Sequence, residues 1–264
     1  MIRLEHITKI FNRGTADEKV AINDLSLHIS SGEFVTVIGS NGAGKTTLLN
    51  LISGTYYPDE GQILIDGTDV TKMPEYHRAK YIGRVFQDPL IGTAASMSIE
   101  ENLAMAEKRG QKRGLGWGVT RAKREKYREV LKLLELGLED RLKDPVGLLS
   151  GGQRQTLTLL MVTLSIPKVL LLDEHTAALD PKTARKVLQL SREMIENYDL
   201  TTIMVTHNMQ QAIEYGDRMI MLHEGQIRFD VKGEKKQNLS VEALVKSFGS
   251  VLKDETLLTA AEGT

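Results

Sequence analysis

The sequence has no cysteine, little proline and few aromatic residues, and it contains no long uninterrupted apolar segment. Without cysteine, the chain can form neither disulfide bonds nor thiolate metal sites. No segment reaches the ~18 consecutive apolar residues that a membrane-spanning helix needs. The first residues, Met1 to Glu5, do not form a secretion signal. We therefore expect a soluble globular protein.

Acidic and basic residues are almost equal in number. The 34 lysine and arginine residues and the 35 aspartate and glutamate residues give a formal net charge of −1, which provides no general attraction to nucleic acid. Hydrophobic residues make up 41% of the 264 positions, which is ordinary for a soluble chain. This length suffices for one sizeable core, or for one core with an appended lobe.

One glycine-rich segment fits the phosphate-binding pattern G-x-x-x-x-G-K-[ST] at every fixed position. The residues of this segment and the one after it are Gly39, Ser40, Asn41, Gly42, Ala43, Gly44, Lys45, Thr46 and Thr47. The apolar residues 33–38 before it predict a buried strand, and residues 47–52 predict a helix that stops near Gly54. Because strand, loop and helix follow in this order, we interpret the segment as a phosphate loop rather than a chance glycine-rich turn.

The residue types in this loop suit the binding of a nucleotide phosphate. Glycine lets the backbone approach the phosphate closely, and the N–H groups at a helix N-terminus attract negative charge. Lys45 supplies a mobile cation for the outer phosphates, and the Thr46 hydroxyl is a suitable ligand for Mg²⁺. The loop therefore predicts a bound nucleoside triphosphate with magnesium.

Two adjacent acidic residues, Asp173 and Glu174, end a continuous apolar run at 168–172. Two carboxylates at the end of a buried strand are unfavourable unless a cation or a proton stabilises them. We interpret them as a site in which Asp173 holds Mg²⁺ through its water shell and Glu174 orients and deprotonates the attacking water. The alternative is a pair of acids that caps the following helix.

Two further polar residues follow predicted strands. His207 comes after the apolar run 202–206, and Gln87 comes after 81–86. Because strand C-termini converge on the ligand crevice of a parallel sheet, we expect His207 to face the γ-phosphate, although a histidine after a strand is more often a packing residue. The Gln87 amide can contact magnesium or water, but such a glutamine is ordinarily polar surface.

A third segment has the features of a helix N-terminus, and its residues are Leu149, Ser150, Gly151, Gly152 and Gln153. Ser150 offers a cap, the glycines expose backbone N–H groups, and an apolar helical pattern follows through Leu164. Such an end attracts an anion. Lys45 and Thr46 already serve the one phosphate that the sequence predicts, so this second anion site has no ligand of its own.

With this segment the chain resembles the ATP-binding subunits of ABC transporters, over roughly residues 1–235. In that family, two nucleotide-binding domains pack head to tail, and the signature helix of one completes the nucleotide site of the other. The resemblance implies that the signature residues contact ATP bound to the partner copy. These residues are Ser150, Gly151, Gly152 and Gln153.

The resemblance assigns roles to five more residues. Gln87 matches the loop that senses the membrane subunit, and His207 matches the switch histidine. Asp180 belongs to a segment that matches the part crossing the dimer interface near the opposite catalytic glutamate. Phe11 matches the aromatic residue that stacks on adenine, and Val20 lines the same pocket. A phenylalanine in an N-terminal strand can instead belong to the core.

One departure from the family pattern concerns the residues after Glu174. The family usually has a proline there, followed by Thr-Ser-Ala-Leu-Asp, whereas this chain has His175 and, two residues later, Ala177. No catalytic group is lost. Together with the segments 83–89 and 139–142, this departure is similar to a group of bacterial importers suggested to carry aromatic amino acids.

The predicted fold class is α/β: a phosphate-loop NTPase (RecA-like) core with an antiparallel β subdomain and an inserted helical subdomain. Parallel strands are predicted at 33–39, 81–87, 168–173 and 201–206. Alternating apolar residues near the N-terminus predict the antiparallel strands, and Glu224-Gly225 predicts the turn of a hairpin at 219–227.

We assign residues 1–235 to the ATPase domain, with the helical subdomain at about 89–158, and residues 236–264 to a C-terminal helical tail. In the tail, Ser240 is expected to cap a helix that packs on its own domain. Residues 108–128 contain nine basic side chains. We interpret this segment as a solvated face, with a surface for anionic lipid or the membrane subunit as the alternative.

These features predict the ATP-hydrolysing subunit of an ABC transporter, with ATP and Mg²⁺ as cofactors. We expect a homodimer on the cytoplasmic face of the membrane, bound to permease subunits, with a solute-binding protein as a further partner and no nucleic acid. Import of a small solute such as an amino acid is the preferred direction. The alternatives are an exporter, a lipoprotein-release system, or a soluble ABC ATPase without a transport role.

Overall fold

The computed structural model describes residues 1–111 and 118–248, and for 246–248 it describes the backbone alone. Strands and helices alternate along most of this part of the chain. The strands are β1 Ile2–Phe11, β2 Lys19–Ile29, β3 Phe34–Ile38, β4 Glu60–Ile65, β5 Thr68–Asp69, β6 Ile82–Val85, β7 Val169–Asp173, β8 Thr201–Val205, β9 Arg218–His223 and β10 Gln226–Lys232.

All α-helices of the described residues follow β3. They are α1 Lys45–Ser53, α2 Glu75–Arg78, α3 Ile99–Glu107, α4 Arg121–Lys132, α5 Gly151–Thr163, α6 Pro181–Tyr198, α7 Met209–Glu214, α8 Glu234–Gln237 and α9 Val241–Phe248. Among the described residues, no helix is both long enough and apolar enough to cross a membrane.

A six-stranded sheet with the order β10-β9-β3-β8-β7-β6 forms the centre of the fold. Strands β9, β3, β8, β7 and β6 run parallel, and β10 pairs antiparallel with β9. The parallel strands are continuous apolar runs because both faces of such a sheet are covered. The four predicted parallel strands are confirmed to within two residues. Their C-terminal ends meet at one edge, where Glu174 N–H donates to the Val205 carbonyl (3.0 Å).

A second sheet is antiparallel and has the order β2-β1-β4-β5. Its inner face carries the alternating apolar residues that the sequence predicted, and all of them are buried: Ile2, Leu4, Leu25, Leu27 and Ile29. One apolar cluster contains residues of this sheet, of α1 and of the parallel strands. The helix that follows the phosphate loop therefore packs in the core shared by both sheets.

A separate apolar cluster joins α3, α4 and α5. Apolar residues at helical spacing continue from Tyr127 to Leu138, but α4 ends at Lys132. The chain leaves the helix before Leu138 because Glu135 and Gly137 have positive φ, 52° and 68°, which a right-handed helix does not accommodate. Leu134 and Leu138 nevertheless lie in this cluster.

The basic segment is partly outside the described residues, which omit 112–117. In the described part, basic side chains of α4 pair with acids. Arg124 donates to Glu100 (2.5 and 2.8 Å), and Lys126 donates to Glu107 (2.7 Å). Burial raises the pKa of Glu107, but hydrogen bonds from Lys126, Lys123 and Tyr127 outweigh it and lower the value to about 2. This pairing favours the interpretation as an ordinary solvated face.

The predicted hairpin and tail helix are present. Glu224 and Gly225 form the β9–β10 turn with φ of 48° and 75°, as a two-residue hairpin turn requires. Ser240 Oγ accepts from Ala243 N–H (3.0 Å) at the start of α9. Leu244 is fully buried in a cluster with Met209 and other residues of α7 and β9, so the tail helix packs on its own chain. The expected end of this helix, Gly249, lies outside the described residues.

Candidate active site

The phosphate loop connects β3 to α1 and depends on glycine at two close approaches. Gly39 has φ of 154° and Gly44 has φ of 104°. A Cβ atom on Gly39 would lie 2.3 Å from the Leu222 carbonyl oxygen, and one on Gly44 would lie 2.6 Å from the Ala21 carbonyl oxygen. Only glycine avoids both the steric overlap and the unfavourable φ. The fixed positions of the sequence pattern thus have a structural cause.

Lys45 is nearly buried, and its ammonium group lies against the loop backbone. Its Nζ donates to the carbonyls of Gly39 (2.7 Å) and Ser40 (3.0 Å). The hairpin turn braces the same loop, because Gly225 N–H donates to the Ala43 carbonyl (3.1 Å). The loop is therefore held from both sides with a cation at its centre.

A cavity of about 220 Å³ opens at the loop and gathers most of the predicted catalytic side chains. Both the aromatic residue from β1 and the polar residues after β7 and β8 face it. Its lining consists of Phe11, Lys19, Ala21, Asn41, Gly42, Gly44, Lys45, Thr46, Thr47, Glu174 and His207. Residues separated by more than a hundred positions therefore meet at the C-terminal edge of the parallel sheet, as expected for this fold.

Glu174 and His207 form a close pair in this cavity. Glu174 Oε1 lies 2.6 Å from His207 Nε2, and the side chains are 10% and 29% exposed. Glu174 also has a positive φ of 45°, an uncommon conformation for glutamate that is enriched at functional sites. A carboxylate held by an imidazole beside a cation-bearing loop can orient a water molecule and accept its proton.

Asp173 does not line the cavity but lies beside it in a buried ion pair. Arg84 Nη2 donates to Asp173 Oδ2 (2.6 Å), and the two side chains are 8% and 11% exposed. Arg84 Nη1 donates to Asn50 Oδ1 (2.6 Å). The sequence interpretation missed Arg84, although a charged residue inside a buried strand was a signal that it needs a partner.

The oxygen donors near the loop fit magnesium bound together with a nucleotide. No group of three or more histidine, cysteine and acidic side chains in the described parts of the chain is arranged to hold a metal ion. Mg²⁺ usually needs fewer protein ligands, because phosphate oxygens and water complete its shell. The Thr46 hydroxyl in the cavity and the Asp173 carboxylate beside it are donors of this kind.

Other predicted site residues lie outside this cavity. Gln87 is exposed in the loop after β6. Val20 is 45% exposed on β2, between Lys19 and Ala21. Asp180 caps α6 by accepting from Thr183 N–H (3.1 Å), and hydrogen bonds from the Thr183 side chain and backbone lower its pKa. None of these three side chains therefore lines the cavity at the phosphate loop, although Val20 lies between two residues that do.

The signature segment caps its own helix. Ser150 Oγ accepts from Gln153 N–H (3.3 Å), and Ser150 N–H donates to Gln153 Oε1 (3.1 Å), which forms a capping box. Gly152 packs closely on α6, because a Cβ atom there would lie 2.2 Å from Thr183 Cγ2. The predicted helix N-terminus is confirmed, Ser150 and Gly151 are exposed there, and none of residues 150–153 lines the cavity.

His175, which departs from the family pattern, is buried directly behind the acids. Its Nε2 lies 3.2 Å from Ser191 Oγ on α6, and burial lowers the pKa of the imidazole to about 4. The side chain is therefore neutral at physiological pH. It also borders a groove of about 920 Å³ that Glu174 and His207 share.

Comparison with known proteins gives a consistent result. Residues 22–177 match the family described as ABC transporter. The tyrosine transport ATP-binding protein of Clostridioides difficile is 45% identical over 94% of this chain and 98% of that protein. The methionine import ATP-binding protein MetN of Escherichia coli is 35% identical over 86% of this chain, which spans 64% of that longer protein.

Solved structures agree with the sequence comparison. A dimeric ATP-binding cassette in a post-hydrolysis state, bound to ADP and Pi, superimposes with a TM-score of 0.75 at 30% identity, covering 88% of this chain and 98% of that one. A nucleotide-free cassette from an ABC transporter superimposes with a TM-score of 0.74 at 25% identity, covering 100% and 99%.

Proposed function

The chain belongs to the ABC transporter family and is an ATPase of that family, and from this premise we propose that it powers solute import through a separate membrane permease. The observation that carries the proposal is the cavity in which the phosphate loop faces the Glu174–His207 pair. The groups that bind the phosphates and the groups that activate the attacking water thus line one cavity, as hydrolysis of a terminal phosphate requires.

In this proposal the predicted site residues of the cavity have defined roles. Lys45 and the loop N–H groups bind the outer phosphates, and Glu174 accepts the proton of the attacking water. His207 holds the Glu174 carboxylate in place and contacts the γ-phosphate, and Phe11 stacks on the adenine. Magnesium, when bound near Thr46 and Asp173, neutralises charge that develops on the phosphates.

We further infer that two copies act together. The N-terminus of α5 does not line the cavity of its own chain, yet the exposed Ser150 and Gly151 at this end suit contact with a nucleotide. The dimeric cassette that binds ADP and Pi supports such an arrangement. Ser150, Gly151, Gly152 and Gln153 would then complete the nucleotide site of the partner copy, and Asp180 would lie at the interface.

A surface groove after Gln87 is the proposed docking place of the permease. It has a volume of about 320 Å³ and is bordered by Phe86, Ile91, Met105 and Arg109. The adjacent Leu90 and Ile91 are 50% and 64% exposed, and two such neighbours beside the groove favour a partner with an apolar segment. Gln87 lies at the start of the loop that follows β6 and borders this groove. A movement of the bound permease would therefore shift Gln87 relative to the nucleotide site.

The relatives support import and suggest the substrate class. The relative with 45% identity is named as a tyrosine transport protein, and the MetN relative is named for methionine import. We therefore propose an amino acid as the substrate, an aromatic one first, delivered by a solute-binding protein. The chain would reside at the cytoplasmic face of the membrane, where ATP is available.

Replacement of the proposed base tests the catalytic part directly. Glu174→Gln should lower ATP turnover by about 10²- to 10⁴-fold while ATP binding and an ATP-dependent dimer persist. Turnover and light scattering with ATP measure the two effects. Glu193→Gln, an exposed change on α6, is the matched control and should leave both unchanged. Normal turnover of Glu174→Gln would refute the role given to Glu174.

Co-purification from native membranes tests the transport part. The tagged chain, extracted in mild detergent, should retain a multi-helix permease and a solute-binding protein that binds tyrosine. Recovery of soluble partners alone would contradict a transport role. A permease that uses ATP to release substrate outward would contradict import but leave the catalytic assignment intact.

A further inference from the structure

Arg84 is a buried cation in the middle of β6. Its neighbours in the strand, Ile82, Gly83 and Val85, are buried as well, and Arg84 itself is only 9% exposed. A guanidinium group is rarely placed in such a position without strong partners, because it loses its hydration there. The contacts of Arg84 should therefore reveal why the strand contains it.

Those contacts join three elements of the hydrolytic site. One nitrogen of Arg84 binds Asn50 on α1, the helix of the phosphate loop, and another binds Asp173 at the end of β7, both at 2.6 Å. The guanidinium carbon also lies 4.7 Å from the centre of the Phe86 ring. Only a planar fork with several donors can hold an amide and a carboxylate in two fixed directions, so lysine is not equivalent.

The positive charge of Arg84 compensates one of two neighbouring negative charges. Asp173 and Glu174 are adjacent acids, and both are nearly buried. Glu174 has His207 as a partner, and Arg84 provides Asp173 with a positive charge of its own. A nucleotide that carries several negative charges binds close by, so uncompensated acids would repel it.

We propose that Arg84 is a positioning residue of the ATPase site, which fixes the Asp173 carboxylate relative to the phosphate-loop helix and supplies its counter-charge before magnesium binds. This inference rests on the proposed role of Asp173 at the metal. In this arrangement, Asp173 Oδ2 accepts from Arg84, and Asp173 Oδ1 is left to bind the water shell of the ion. The binding of metal-free nucleotide then depends on Arg84, and the binding of magnesium nucleotide depends on it less.

The test uses the dissociation constant of a non-hydrolysable ATP analogue, measured once in EDTA and once in magnesium. The ratio is the value in EDTA divided by the value in magnesium, so it reports how much magnesium strengthens binding. Arg84→Met removes the counter-charge, which weakens binding in EDTA and leaves more negative charge for the ion. The ratio should therefore rise by about threefold or more. Arg84→Lys keeps the charge and should leave the ratio within about twofold of the original protein, while turnover still falls because the fork is lost.

A second buried arginine provides the matched control. Arg78 is fully buried, but its donors bind the backbone carbonyls of Leu51, Ile52, Met73 and Thr71. Arg78→Met should lower thermal stability without changing the ratio. Asn50→Ala removes the hydrogen bond from Arg84 to α1 and keeps the ion pair with Asp173, and it should lower turnover. This milder variant replaces Arg84→Met in the test if Arg84→Met does not fold.

Asp173→Asn separates this inference from the proposed function. If the ratio falls toward one in Asp173→Asn and rises in Arg84→Met, both the metal role of Asp173 and the positioning role of Arg84 are supported. An unchanged ratio in Asp173→Asn would overturn the metal role of Asp173 and the inference with it. A lowered ratio in Asp173→Asn together with an unchanged ratio in Arg84→Met would overturn the inference about Arg84 alone. If Arg84→Met does not fold, normal turnover of Asn50→Ala and Arg84→Lys would overturn it.

Discussion

Two helix N-termini in this protein have glycine-rich sequences but opposite local structures. At the start of α1, Gly44 has a left-handed conformation, and no side chain caps the helix. At the start of α5, Ser150 and Gln153 cap each other's backbone N–H groups. The first end faces a cavity that also holds Glu174 and His207, whereas the second end lies at the surface, outside that cavity.

The difference indicates which end binds phosphate within its own chain. An uncapped helix end leaves backbone N–H groups for an anion, and Lys45 adds a positive charge there. The capping box at α5 satisfies the N–H groups of Ser150 and Gln153 but lies outside the cavity, so we infer that this end adds a contact to a nucleotide that another copy binds. Substitutions at the two ends should therefore differ, and the one at the phosphate loop should have the larger effect on ATP binding.

Lys45→Ala should weaken ATP binding by about 100-fold, because a charged group that contacts phosphate is lost. Equilibrium binding of a fluorescent ATP analogue to the isolated chain measures the effect. Lys19 lines the same cavity from β2 and provides the matched control, since Lys19→Ala removes a cation from the rim rather than from the loop. Equal losses in the two variants would contradict the central position of Lys45.

Ser150→Ala should lower ATP turnover by about tenfold and leave ATP binding to the isolated monomer unchanged, because the lost hydroxyl serves the partner's nucleotide. The control is Ser98→Ala, since Ser98 forms the same kind of capping box with Glu101 at the start of α3. Both changes should cost about 1 kcal/mol of stability. If monomer binding fell with turnover in Ser150→Ala, the contact would lie within one chain.

Phe11→Ala should weaken ATP binding by about fivefold, whereas Phe11→Tyr should keep it, because stacking needs an aromatic face. The ring of Phe11 makes an edge contact with Tyr56, with centroids 5.2 Å apart. Binding of ATP and of inorganic triphosphate to both variants separates adenine contact from phosphate contact. A loss that is equal for both ligands would assign Phe11 to the packing of the loop.

His175 should make stability depend on pH, because burial lowers its pKa in the folded chain from 6.5 to about 4. The unfolded chain then binds more protons between these values, so stability falls as the pH drops through this window. We expect a loss of roughly 1 kcal/mol between pH 7 and pH 5.5 relative to His175→Met. Urea unfolding at both pH values measures it, and an identical loss in His175→Met would contradict the assignment.

The sequence predicted the local parts of this fold well. Buried parallel strands such as β7 are continuous apolar runs, and the turn at Glu224-Gly225 has a glycine at a position of positive φ. The phosphate loop was identified because its pattern and both neighbouring elements agree. The end of α4 does not follow from the spacing alone, because the helical pattern of apolar residues continues to Leu138, past the positive φ of Glu135 and Gly137.

Contacts between distant segments could not be predicted in the same way. Arg84 lies 34 positions from Asn50 and 89 from Asp173, and no periodic pattern links three strands or helices at such separations. The partner of His175, Ser191, is likewise on a helix whose orientation the sequence does not reveal. Such side chains can be recognised as buried polar residues in need of a partner, but the partner emerges only from the packing.

Mixing two impaired variants tests the central claim most directly, because a dimer with composite sites should regain one intact site. Lys45→Ala keeps Ser150, and Ser150→Ala keeps Lys45, so a mixed dimer combines an intact loop from one copy with an intact signature segment from the other. A 1:1 mixture should recover about a quarter of the original turnover if half of the dimers are mixed and each has one working site. Turnover no higher than the average of the two variants alone would contradict the claim that each copy completes the other's site.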